Sequence, residues 1–268
     1  MSKISLHNVN KVYPLRGTDV GALHALHDIN FEVADGEFLV IVGPSGCGKS
    51  SLLDLLCGLA QPSSGEIRVD GKRVQGPGLD RGIVFQQYAL FPWLTALGNI
   101  EFGLEAGGVA KRERASRARE YLALVGLSGF ENRYPHELSG GMKQRVAIAR
   151  SLSYDPDILL MDEPFAALDA QTRETLQDEL LGIWGKTRKT IIFITHGIDE
   201  AVYLGQRVAV MSARPGRIVE VIDVPNTRRI RSERDEDRRA DPAFVATRHR
   251  IWSLLRHHVA EQPLANAA

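Results

Sequence analysis

The stretch Gly43-Pro44-Ser45-Gly46-Cys47-Gly48-Lys49-Ser50-Ser51 has the residue types and spacing needed to hold a chain of phosphates. It fits the pattern of a phosphate-binding loop: glycine, four residues, glycine, lysine, serine. Glycines let the main chain wrap an anion without Cβ clashes, so several N–H groups can converge on phosphate oxygens. A helix that begins at the end of the loop adds unpaired N–H groups and the positive end of its dipole. Lys49 offers a point charge for the β- and γ-phosphates, and the Ser50 hydroxyl suits Mg²⁺. The loop follows an apolar run, Phe38 to Val42, and leads into Leu52-Leu53-Asp54-Leu55-Leu56, so strand and helix stand where the motif requires them. These residues point to a nucleoside-triphosphate site.

Two further stretches carry chemistry. Ile158-Leu159-Leu160-Met161-Asp162-Glu163-Pro164 reads as a buried strand ending in two carboxylates. Ligand sites in parallel sheets lie at the carboxyl ends of strands, the same edge as the phosphate loop. Adjacent strand residues point to opposite sides, so the two acids are expected to do different work. Asp162 fits Mg²⁺, held through water. Glu163 is then free to orient and deprotonate an attacking water. In Leu138-Ser139-Gly140-Gly141-Met142-Lys143-Gln144-Arg145, Ser139 can cap a helix whose first N–H groups are left exposed by the glycine pair. That is a second anion cradle, and one nucleotide needs only one. It serves another ligand or completes a site on a neighbouring copy; spacing alone leaves both open.

The elements that must position these residues alternate between strands and helices. Ile4 and Leu6, then Ile29, Phe31 and Val33, alternate with polar residues as half-buried strands do, with polar turns around Arg16 to Asp19 and at Asp35-Gly36. The loop's helix is expected to end near Cys57-Gly58. Gly65 to Gly71 predicts a short strand closed by an Asp-Gly turn, and Gly82 to Phe85 a strand leading into Gln86. From about Leu94 to Ser153 the pattern is helical, with segments at Asn99 to Leu104 and Lys111 to Val125 and a stop at Gly126. Strands return at Ile158 to Met161, Thr190 to Ile194 and Val208 to Met211, with a helix from Asp169 to Trp184 between the first two. Apolar strands alternating with helices imply a parallel sheet covered on both faces. Arg228 to Arg239 reads as a charged, solvated linker. Asp241-Pro242 then caps a final amphipathic helix expected to pack through Val245, Trp252, Leu255 and Val259.

The chain as a whole adds bounds. At 268 residues it suits one large domain, or one domain with a subdomain. Lys plus Arg and Asp plus Glu stand at 33 each, so net charge gives no sign of nucleic-acid or anionic-membrane binding. No apolar run approaches the roughly 18 residues that span a bilayer, and the start lacks a signal-peptide stretch. A reducing cytoplasm is the expected location.

Taken in order, Gly43–Ser51, Gln86, Leu138–Arg145, Ile158–Pro164, Ala167-Leu168-Asp169 and Thr195-His196 make the chain resemble ATP-binding-cassette (ABC) ATPases over roughly Ile4 to Ile222. Asp80 to Gln86 followed by Leu90-Phe91-Pro92-Trp93-Leu94 is similar to the ATPase subunits of nitrate/sulfonate/taurine-type importers. The resemblance implies an α/β fold: a phosphate-loop, RecA-like core at residues 1–227 with an N-terminal antiparallel β subdomain and a helical insert at about 94–153. Residues 228–268 would be the charged linker and C-terminal helix. It implies ATP and Mg²⁺ as cofactors. Tyr13 would stack on adenine, Gln86 would sense Mg²⁺ and the attacking water, and His196 would contact the γ-phosphate and hold Glu163. Ser139, Gly140, Gly141 and Asp169 would act across a homodimer, which answers the second-cradle question. Tyr88 to Leu94 would dock on an integral membrane permease, served indirectly by a solute-binding protein, with the ATPase peripheral on the cytoplasmic face of the inner membrane. Two departures stand out: Gly197 where Asp is common, and Ala166-Ala167 where one serine is common. The resemblance leaves one rival, a non-transport cassette ATPase acting on nucleic acid or ribosomes. Such proteins carry paired cassettes or a long coiled-coil insert, which this chain lacks.

Overall fold

The computed structural model describes residues 2–14, 21–225 and 238–260, with the side chains of 258–260 set aside. The turn expected at Arg16 to Asp19, the linker from Arg228 as far as 237, and the Val259 side chain lie outside the described residues. Two compact units form: Met1–Pro77 with Ile192–Ala268, and Gly78–Ile191. In chain order, the first unit supplies β1 (Ser2–Pro14), β2 (Ala22–Ala34), β3 (Phe38–Val42), α1 (Lys49–Cys57), β4 (Ser64–Val69) and β5 (Lys72–Arg73). The second supplies β6 (Arg81–Val84), α2 (Ala96–Ala106), α3 (Lys111–Leu124), α4 (Gly140–Ser153), β7 (Ile158–Asp162) and α5 (Ala170–Thr187). β8 (Thr190–Thr195) straddles the division, and the first unit resumes with α6 (Ile198–Leu204), β9 (Arg207–Met211), β10 (Ile218–Asp223) and α7 (Pro242–Ala260).

In the first unit, β1 pairs antiparallel with β2, setting Leu6 opposite Phe31 and Ile4 opposite Val33. Its other edge takes β4, with Leu6 opposite Ile67. The alternating residues named from the sequence, Ile4, Leu6, Ile29, Phe31 and Val33, are the buried ones. Asp70 and Gly71 both have positive φ, 48° and 74°, the geometry of a two-residue hairpin between β4 and β5. A second strand group sets β3 parallel to β9, Val40 opposite Val208, and β9 antiparallel to β10. Every residue of β3 is buried, and each such aliphatic or aromatic side chain contributes about 1.5–3 kcal/mol through removal from water. That burial fixes the strand from which the phosphate loop springs.

In the second unit, β6 runs parallel to β7, with Val84 and Met161 as partners. Between these two strands the described residues are helical or loop. Thr95 caps α2 by accepting the Gly98 N–H at 3.1 Å, and α3 stops where Gly126 takes φ 69°. β6 ends at Val84, so Phe85 lies outside the strand and is exposed together with Gln86.

The final helix forms as expected but turns a different face inward. Asp241 accepts the Ala243 N–H at 2.7 Å, and Pro242 opens α7. The buried residues are Phe244, Thr247 and Ile251, whereas Val245 and Trp252 are 40% and 44% exposed. The apolar stripe chosen from the sequence is therefore corrected. Phe244 and Ile251 also lie at helical spacing, and a helix this rich in apolar residues offers two nearly adjacent stripes. No helix among the described residues is long and apolar enough to cross a membrane.

Candidate functional site

The first unit holds the phosphate loop, Tyr13 and His196. Lys49 is 6% exposed, and its ammonium donates to the Gly43 carbonyl at 2.8 Å and the Pro44 carbonyl at 3.0 Å. The loop thus curls around its own cation. Cys47 N–H donates to the Pro44 carbonyl at 3.3 Å, and Leu52 N–H to the Gly48 carbonyl at 2.9 Å, which starts α1. Gly48 has φ 106°, and a Cβ there would lie 2.7 Å from the Ala25 carbonyl oxygen. Only glycine satisfies both the dihedral and the close approach to β2. The first turn of α1 carries no acid, so its positive end is left uncompensated for an anion.

Tyr13 is half-buried at the end of β1, and its hydroxyl lies 3.3 Å from the Ser51 hydroxyl. Lys11 sits 4.9 Å over its ring. The fold therefore brings the aromatic to the phosphate loop across 38 residues of chain. His196 follows β8 and is exposed. The turn beneath it is built by Thr195, whose hydroxyl accepts the Gly197 N–H at 3.0 Å and bonds the Glu200 carboxylate. This hydroxyl-stabilised turn sets the backbone on either side of the histidine, with glycine at the next position.

The second unit holds Gln86, Ser139, Gly140, Gly141, Asp162, Glu163 and Asp169. Because Val84 and Met161 are partners in a parallel pair, Gln86 and Glu163 each stand two residues beyond the same register line. Both lie at the carboxyl edge of these strands. β7 stops at Asp162, and Glu163 turns with φ 42°. The different settings of the two acids therefore come from a left-handed turn, and the strand alternation expected from the sequence does not reach Glu163. Such a conformation costs a non-glycine residue about 1–3 kcal/mol and persists only where its surroundings enforce it. The turn is closed by Ala166 N–H donating to the Glu163 carbonyl at 3.1 Å. Arg173 braces the segment leading into α5, donating to the Phe165 and Leu168 carbonyls at 3.3 and 2.9 Å.

Ser139 caps α4, accepting the Met142 N–H at 3.3 Å, and the first turn of that helix has no acid. The Tyr88 hydroxyl lies 3.1 Å from where a Cβ of Gly140 would stand. Asp169 caps α5 by accepting the Thr172 N–H at 2.9 Å. That bond, with a second from the Thr172 hydroxyl, holds the carboxyl below its ordinary range.

The segment from Tyr88 to Leu94 is an aromatic surface with a polar frame. Trp93 is 70% exposed and Phe102 49%. The Phe91 ring centroid stands 5.5 Å from that of Trp93 and 4.6 Å from that of Phe102. Asn99, fully buried, accepts the Phe91 N–H at 2.9 Å and donates to the Phe91, Leu94 and Thr95 carbonyls. Arg150 donates to the Tyr88 and Ala89 carbonyls and lies 5.5 Å over the Phe91 ring. Asn99, Arg150 and Lys11 escaped the sequence reading, which named Thr195 beside His196 but not its part in the turn. For Asn99 a signal exists: a polar residue on the apolar side of a short helix.

The family model described as ABC transporter matches residues 26–166. The chain is 50% identical over 250 residues to a nitrate import ATP-binding protein of Synechocystis sp., spanning 92% of this chain and 94% of that one. It is 49% identical over 234 residues to a taurine import ATP-binding protein of Rhizobium johnstonii, spanning 87% and 89%. A dimeric structure of a post-hydrolysis ATP-binding cassette, bound to ADP and Pi, superposes with a TM-score of 0.72 at 35% identity, covering 82% of this chain and 98% of that chain. With a phosphate-loop motif on a fold shared with that ADP-bound cassette, the chain is an ATPase and belongs to the ABC transporter family.

Proposed function

We propose that this chain is the ATP-hydrolysing subunit of an importer for a small oxyanion or sulfonate solute of the nitrate or taurine type, working as a homodimer against a separate membrane permease. The solute class rests on the near-50% identity to nitrate and taurine import proteins over most of the chain. Each ATP is held by Gly43–Ser51 of one copy, with Tyr13 against adenine, and is covered by Ser139, Gly140, Gly141 and Asp169 of the other. The single observation that carries the dimer reading is the uncompensated start of α4: a neutral cap, no acid in its first turn, and an exposed Ser139. A γ-phosphate received there gives the closed dimer the differential affinity that a ligand-driven switch requires.

Ser50, Gln86 and Asp162 offer hydroxyl, amide and carboxylate oxygens, the hard donors that suit Mg²⁺. When bound, that ion supplies charge neutralisation on the phosphate oxygens. Glu163 orients the attacking water and takes its proton, and His196 holds the terminal phosphoryl. Lys49 and the loop N–H groups stabilise the charge that develops there. The aromatic surface of Phe91, Trp93 and Phe102, stiffened by Asn99 and Arg150, is the docking face for the permease and places the ATPase at the membrane periphery. A solute-binding protein completes the system from outside.

Replacing Glu163 by Gln tests the central assignment. Turnover is expected to fall by about 10²–10⁴-fold, the usual worth of a positioned base. ATP binding is retained, and a dimer accumulates by size-exclusion chromatography with MgATP. Near-native hydrolysis, or a variant that stays monomeric with ATP bound, refutes the reading.

A further inference from the structure

We propose that Arg214 is a positioning residue for the phosphate loop, holding the Gly46 peptide so that the loop N–H groups face the nucleotide. Both Nε and Nη2 of Arg214 donate to the Gly46 carbonyl oxygen, each at 3.1 Å. In a trans peptide the C=O and the following N–H point in opposite directions. Pinning the Gly46 oxygen on the Arg214 side therefore sends the Cys47 N–H the other way, into the curl of the loop, where it makes its 3.3 Å contact with the Pro44 carbonyl. That bond is long, so the N–H is easily surrendered to a phosphate oxygen. Gly46 itself sits at φ 74°, a conformation in which a glycine peptide has little intrinsic preference and needs an external tie.

The turn that carries Arg214 is anchored well enough to act as that tie. It joins β9 to β10 and is closed by Ser212 N–H to the Arg217 carbonyl at 2.9 Å and by Arg217 N–H to the Ser212 hydroxyl at 3.0 Å. It is tied to β2 by Gly216 N–H to the Ala25 carbonyl and His27 N–H to the Gly216 carbonyl, both 2.9 Å. Gly216 presses so closely on the phosphate loop that a Cβ there would stand 2.2 Å from the Cys47 carbonyl oxygen. Ala25 is the shared abutment, since the same carbonyl that receives Gly216 also stops against Gly48. The loop is thus gripped at Gly46, Cys47 and Gly48 by two pieces of chain distant in sequence, with the Arg214 fork as the side-chain grip on Gly46.

This inference rests on the reading of Gly43–Ser51 as the phosphate grip, and the test separates the two. In the full chain, Arg214→Ala is expected to raise KM for ATP and Kd for MgADP by about three- to tenfold, the loss of a charge-assisted hydrogen bond. kcat changes by less than about twofold, because Arg214 touches no reacting atom. Arg214→Lys, which keeps the charge but not the fork, recovers part of the affinity. A residue that merely stabilised the fold would lower the melting temperature and the active fraction while leaving KM and Kd in place. Should the alanine variant melt early, Arg214→Met, which keeps the stem, replaces it in the same assay. Native KM and Kd in these variants, or a loss confined to kcat, overturns the proposal. Lys49→Ala measured alongside reports on the site itself. Retained MgADP binding there sinks the phosphate-grip reading, whereas its loss beside a native Arg214→Ala sinks only the role of Arg214.

Discussion

The phosphate loop is folded upon itself, and the Ser139-Gly140-Gly141 segment that starts α4 is not. Around the loop, a nearly buried Lys49 finds two carbonyls of its own chain, and Gly48 is pressed against β2. At α4 and α5 the caps Ser139 and Asp169 are exposed. One turn further along α4, the fully buried amide of Gln144 has neither its oxygen nor its nitrogen paired among the described residues. One region is preorganised by its own fold; the other presents exposed helix caps and a buried amide left unpaired among the described residues. The difference is what the proposed shared site would require, with a rigid half to hold the nucleotide and an available half to close over it.

Gly48→Ala attacks the preorganised half and carries the largest expected effect. The added Cβ meets the Ala25 oxygen at 2.7 Å and forces a left-handed dihedral on alanine. The dihedral alone costs about 1–2 kcal/mol, and the clash with a backbone atom cannot be relieved by a rotamer change. MgADP affinity measured by calorimetry is expected to drop at least about tenfold, with a lower melting temperature. A variant that binds like the native chain shows that the loop is not held against β2 and removes the contrast between the two regions.

That contrast also explains what could be read from sequence. The loop was legible because its chemistry is done by the main chain, and a main chain that wraps an anion demands glycines at fixed spacing. The buried strands β3 and β7 were legible because full burial leaves an unbroken apolar run. Arg214 was not, because its partner is a carbonyl 168 residues away and any residue type offers a carbonyl. The partners of Asn99 escaped for the same reason: it acts by bonding backbone, which leaves no pattern in the partner's sequence. The α7 face was misjudged because Trp252 outweighs Ile251 in apolar bulk, while the helix register and not bulk decides which side meets α6. Glu163 was singled out by type and position, but the left-handed turn that sets it apart from Asp162 has no signature in a non-glycine residue.

Gln144→Met probes the unsatisfied half directly. It keeps the side-chain length and helix propensity but removes both buried polar atoms. A buried group without a partner costs about 1–3 kcal/mol, so the nucleotide-free variant is expected to be more stable by up to about that amount in urea denaturation at constant m. A loss of stability instead means that the amide is paired in solution, and the two halves then differ less than the contacts indicate.

The smallest effect concerns charge at the two helix ends. Asp169 carries a carboxylate at the start of α5, whereas α4 opens on the neutral Ser139 with no acid in its first turn. Its pKa is depressed below the ordinary 3.8, first by the Thr172 N–H and then by the Thr172 hydroxyl. A carboxyl whose folded pKa lies below its unfolded one contributes stability that is complete above the unfolded value and is lost as pH falls through the folded value. Asp169→Ala should therefore lower the melting temperature modestly at neutral pH, and the gap should narrow only as the pH drops below about 4. If the gap persists unchanged at still lower pH, the cap acts through shape rather than charge. The uncompensated end of α4 then loses its distinction from α5 as the one proposed to receive a phosphate.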